Sequence, residues 1–166
     1  MIPDPLHPAI VHFPIVLMFV LPVLALWAIW RISRGDKPRR TWAIPLLAAA
    51  FLALSSWAAV ATGERDSDKV ERVVSDQPLD THEETAELFL ALSVGVVVIA
   101  GAGLLSGTIG RSARILTAAA AMGLIVVGAR AGHSGGALVY KHGAAGAYSQ
   151  PSTPRTERAG GEIHEP

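Results

Sequence analysis

Four long apolar runs separated by short polar segments dominate the chain. The first, about residues 8–30, spans roughly 34 Å as a helix at about 1.5 Å per residue, enough to cross a hydrocarbon core of about 30 Å. Runs at about 42–62, 82–106 and 113–133 predict three more spanning helices. Short connections between consecutive spans predict an all-α, integral membrane four-helix bundle, up-down-up-down, with both termini on one side. Pro5 and Pro8 suit a helix start, whereas Pro14 and Pro22 are interior and predict kinks. Thr81 and Glu84 have the spacing of a capping box that starts the third helix. Gly135-Gly136 is expected to end the fourth. Ser55, Ser56, Gly95, Gly101 and Gly103 are expected to let helices approach closely. The domain runs over 1–143, and the polar tail 144–166, rich in Gly, Ser, Thr, Pro and charge, predicts no structure of its own.

Charge gives the spans a direction. The segment 31–40 carries Arg31, Arg34, Lys37, Arg39 and Arg40, and the third connection adds Arg111 with Arg114 just beyond. Such short basic loops are retained on the cytoplasmic side. The connection 63–81 is acidic, with Glu64, Asp66, Asp68, Glu71, Asp76 and Asp80 against Arg65, Lys69 and Arg72, and suits the opposite face. Both termini are therefore expected in the periplasm of a bacterial inner membrane. Trp42 is expected at the inner interface and Trp57 nearer the outer one. Met1–Leu6 contains Asp4 and no Lys or Arg, unlike the basic start of a secretory signal, so the first span is expected to be kept.

Composition agrees: 51% of residues are hydrophobic and 17% charged. With Lys+Arg 14 against Asp+Glu 14 the formal charge is zero, so no basic field points to nucleic acid. Cysteine is absent, which excludes disulfides and thiolate metal centres and leaves imidazole and carboxylate as strong ligands.

Five of the six histidines then fall on one side of the membrane by simple alternation: His7 and His12 at the first span, His82 opening the third, and His133 and His142 closing the fourth. Imidazoles from two facing helices can hold a haem b iron, with His12 opposite His133 or His82, and Arg130 available to a propionate. A non-haem transition metal would instead draw on His7, His12, His82, His133 and His142, with Glu83 or Glu87 as an oxygen ligand. His7 and His12 are five residues apart, about 140° around a helix, so both reach one site only if Pro8 lies at the helix start. Each histidine also has a simpler role open to it, bonding neighbouring carbonyls at a helix end. Arg130, inside the last span, is expected either to face the bundle, where Glu87 is the best-placed partner, or to snorkel outward.

His7-Pro8, His12-Phe13-Pro14, His82-Glu83, Gly132-His133-Ser134-Gly135-Gly136 and Leu138-Val139-Tyr140-Lys141-His142-Gly143 together resemble the small bacterial membrane proteins grouped as domain-of-unknown-function family 2231. The resemblance covers about residues 5–146 and implies the four-helix membrane fold and compartment, not an activity. Three functions stay open: electron transfer at a haem b or metal centre, an accessory subunit of a larger respiratory or photosynthetic complex, and a transporter. The accessory role would dock partner subunits through the tail and the 63–81 loop. Transport ranks last because the middles of the spans lack ionisable residues. Catalysis has no motif to support it: no HExxH, Walker loop or dinucleotide fingerprint occurs.

Overall fold

A computed structural model describes residues 6–149. Its helices are α1 (His7–Ile10), α2 (His12–Ser33), α3 (Pro38–Val70), α4 (Asp76–Ala102), α5 (Gly107–Tyr140) and α6 (Gly146–Ser149), with no strand among the described residues. Four stretches are long and apolar enough to cross a membrane: His7–Ser33, Pro38–Val70, Asp76–Ala102 and Gly107–Tyr140. Only 22–28% of their most apolar windows is buried inside the protein, so the rest of that apolar surface needs lipid. Phe19, Val23, Leu47, Phe51, Leu54, Val98, Leu116 and Val126 all point outward.

Each long helix packs on the next and α5 returns to α2, closing a ring of four. Met18, Leu21, Ala49, Leu52, Phe89, Val96, Ala100, Ala121 and Leu124 fill its centre. The expected close-packing serines, Ser55 and Ser56, are buried, and both hydroxyls donate to Leu52 O, at 3.0 and 2.7 Å. Ser93 and Thr117 likewise donate to the carbonyl four residues back, so these buried hydroxyls leave no donor unpaired.

The first span is broken where proline demands it. Val11 keeps helical dihedrals between α1 and α2, but Pro14 has no N–H to give to Ile10, and the hydrogen-bond ladder lapses there. Pro22 lies inside α2.

Helix ends differ from those expected, and α5 starts at Gly107 rather than 113. α3 runs on to Val70 rather than ending near 62, and α4 starts at Asp76 rather than 82, so the acidic connection shrinks to residues 71–75. The cause is a small apolar cluster of Val74, Leu79, Leu138 and Ala144, with Val70 against it, which gives these charged turns a face to bury. Thr81 is therefore no cap: its hydroxyl donates to Gln77 O at 2.9 Å within α4, and the N-cap is Ser75. α5 continues through Gly135-Gly136 to Tyr140, and Gly143, at φ 72, supplies the left-handed turn expected of that pair. Ala144 folds back, its N–H bonding Leu138 O at 3.0 Å, so the polar tail starts later than 144. Residues 150–166, and the docking role expected of them, lie outside the described residues.

One packing expectation also changes. Of Gly95, Gly101 and Gly103, the first two face open space, and only Gly103 is pressed, by the Trp42 indole. Trp42 is fully buried against the bundle, its Nε1–H bonding Ala100 O at 2.8 Å. Trp57 is exposed.

Candidate functional site: a histidine pair at the acidic end

The bundle has a basic end, formed by the α2–α3 and α4–α5 turns, and an acidic end, formed by the α3–α4 turn and the last turns of α5. At the acidic end α1 brings His7 against α3, and α4 brings His82 against α5. The two rings face each other edge to face, with centroids 6.3 Å apart and planes at 85°.

Each ring is held by its Nδ1. That of His7 lies 2.8 Å from Ala59 O, and because a carbonyl can only accept, the nitrogen carries the proton. The Thr62 hydroxyl sits 3.4 Å from the same nitrogen and is itself tied to Ala58 O and Ala59 O, at 2.8 and 3.0 Å. His82 Nδ1 lies 3.0 Å from Ser134 Oγ, whose own proton goes to Ala131 O at 3.0 Å. Ser134 is thus left to accept from His82. In a neutral ring a proton on Nδ1 leaves the lone pair on Nε2; the Ala131 backbone is a further hydrogen-bond partner of the His82 ring.

Glycine backbone forms the floor under each ring. A Cβ on Gly63 would come within 3.2 Å of His7 Cε1, and one on Gly135 within 2.9 Å of His82 Cε1. Carboxylates crowd the neighbourhood: Glu83, next to His82 in sequence and partly buried, lies in the field of Asp80, Glu71, Glu87 and Glu64.

The other expected ligands are placed elsewhere. His12 is exposed and its Nδ1–H bonds Pro8 O at 2.7 Å, one turn back on its own chain. His142 is exposed beyond α5, and Glu87 is exposed on α4. Arg130 and His133 are exposed and line a groove of about 700 Å³ between α4 and α5, together with Thr81, Thr85, Ile125, Val126, Ala129 and Ser134. Of the two arrangements open to Arg130, the ion pair with Glu87 does not form; the ion pairs seen among the described residues are Arg31–Asp36 and Lys69–Asp66. Among the described residues no three His, Asp or Glu side chains gather as a metal-binding group, so the histidines arrive as a pair rather than a cluster of five.

Ser134, Thr62, Gly63 and Gly135 are part of this site and were not singled out as such from sequence. A signal existed for two of them: Ala131, Ser134, Gly135 and Leu138 recur at helical spacing and form the inward face of α5 once the helix is carried past its glycines.

The family described as Predicted membrane protein (DUF2231) matches residues 3–147, and the chain belongs to it. No curated protein and no solved structure matches the chain.

Proposed function

We propose that this membrane protein binds one transition-metal ion at its acidic end through Nε2 of His7 and Nε2 of His82, for electron transfer. The supporting observation is the pair of Nδ1 anchors. Metal-bound imidazole nearly always gives its second ring nitrogen to a carbonyl, carboxylate or hydroxyl, which fixes the tautomer and aims the other lone pair. His7 and His82 already have that arrangement, and they come from segments 75 residues apart. The carboxylates around Glu83 raise the local concentration of cations. Copper or iron, as the bare ion or as haem iron, would supply one-electron chemistry, with water or an added ligand completing the coordination shell. By the positive-inside rule the basic end is cytoplasmic, which puts the pair on the periplasmic side of a bacterial inner membrane.

Metal analysis and an absorption spectrum of the protein purified in mild detergent test this reading. Wild type is expected to hold about one metal per chain, or a Soret band if the iron is in haem, and both His7→Ala and His82→Ala are expected to lose it. Full occupancy in both variants would refute it.

A second reading, an accessory subunit without a cofactor, is favoured by the exposed Arg130 and His133 along the α4–α5 groove. On that reading the histidine bonds are interhelical clamps and the groove receives a partner. Arg130→Glu would then release the protein from its native membrane complex on a native gel, with the metal content of the isolated chain at zero throughout.

A further inference from the structure

The basic end carries a second site that the histidine pair does not involve. Seven cations gather there: Arg31, Arg34, Lys37, Arg39, Arg40, Arg111 and Arg114. Asp36 is the one carboxylate of that end among the described residues, and Arg31 holds it at 2.7 Å. Lys37, Pro38, Arg39, Leu104, Leu105, Ser106, Gly107 and Arg114 enclose a pocket of about 390 Å³ between the start of α3 and the α4–α5 turn.

Arg114 is the group that needs explaining. It is 8% exposed, yet no carboxylate among the described residues partners it. Its Nε donates to Gly103 O at 2.8 Å and one Nη to Leu105 O at 3.2 Å, which uses two of its five N–H donors. Gly110 keeps the approach open: a Cβ there would collide with Leu105 O and come within 3.3 Å of the guanidinium. Carbonyl dipoles solvate part of the charge, but a buried cation is normally matched by an anion. Arg39, across the pocket, spends its Nε on Leu104 O at a long 3.4 Å and keeps its other donors. The first turns of α3 and α5 also open here, and neither N-cap, Lys37 or Ser106, makes a side-chain cap bond. Their first-turn N–H groups add to the positive field.

We propose that this pocket binds the phosphate of an anionic phospholipid headgroup, held by Arg114, Arg39 and Lys37. Phosphate supplies the missing counter-charge and fits the planar fork of a guanidinium. The lipid, rather than a free anion, is favoured by what borders the site: Leu104 and Leu105 line its wall, and Leu105 and Ile109 are exposed beside it as a surface for acyl chains.

Binding is read by native mass spectrometry of the full chain in detergent, titrated with phosphatidylglycerol, phosphatidylcholine or inorganic phosphate. Wild type is expected to take one phosphatidylglycerol at least about tenfold more tightly than phosphatidylcholine. The double variant Lys37→Gln/Arg39→Gln, at exposed positions that leave the fold intact, is expected to lose that preference. Arg34→Gln should keep it, because Arg34 belongs to the same end but stacks on Trp30, 5.4 Å from the ring, outside the pocket. Arg114→Lys retains charge without the fork and should weaken binding while remaining folded. Equal affinity for the two lipids, an equal loss in Arg34→Gln, or no loss in the double variant would overturn the proposal. So would displacement of the lipid by inorganic phosphate at matched concentration, which would make the site one for a free anion.

Discussion

Gly135→Ala separates the stability of the bundle from the geometry of the histidine pair. The new methyl would lie 2.9 Å from His82 Cε1, where ordinary contact begins at 3.4 Å, so the ring must retreat by about 0.5 Å. Retreat stretches the 3.0 Å bond to Ser134 beyond useful length and forfeits about 1 kcal/mol. Alanine in place of glycine inside a helix returns about 1 kcal/mol. Thermal unfolding in detergent should therefore be almost unchanged. Metal affinity should not be, because a ligand displaced by 0.5 Å is well outside the about 0.2 Å that coordination tolerates, and a loss of at least tenfold is expected. Gly136→Ala is the matched control: its methyl meets nothing within 4 Å, so stability should rise by about 1 kcal/mol with affinity intact. If Gly135→Ala binds metal as well as Gly136→Ala does, His82 Nε2 is not a ligand.

Other outcomes follow from the same geometry. His12→Ala removes an exposed ring bonded only to its own turn, and metal content should equal that of wild type by elemental analysis. Gly103→Ala would drive a methyl into the buried Trp42 indole and is expected to cost about 1–3 kcal/mol in a denaturation series, more than any other glycine change on α4. Arg130→Ala, at an exposed position without an ion pair among the described residues, should shift stability by less than about 0.5 kcal/mol; a larger loss would show that the side chain has a structural partner. Because native cysteine is absent, single cysteines at Ser33 and Ser67 can be labelled cleanly with an impermeant thiol reagent on intact cells; Ser67→Cys should react and Ser33→Cys should not, and the reverse pattern would invert the assigned orientation.

Much of the fold is legible in the chain because apolar runs of membrane length have few alternatives. The four spans, their order and their all-α character follow from that pattern alone. The helix ends were harder to read, since α3 and α5 run well past the apolar stretch on turns full of charge and glycine. Local propensity argued for stopping at Gly135-Gly136, but packing against His82 and the cluster around Leu138 keeps the helix going. The same blindness hid most of the site. His7 and His82 stand out as rare residues at span ends, whereas Ser134 and Thr62 matter only through what they touch, and Gly63 and Gly135 only through what they lack. The contact of Trp42 was hidden for a related reason: nothing in the sequence announces that Ala100 O waits for its N–H.

The most direct test is electron paramagnetic resonance of the full chain loaded with one equivalent of Cu²⁺, comparing wild type, His7→Ala and His82→Ala. Two coordinated imidazole nitrogens are expected in wild type and one in each variant, with affinity falling in both. A spectrum identical in all three proteins, or one indistinguishable from free aqueous copper in wild type, would contradict a metal held between His7 and His82.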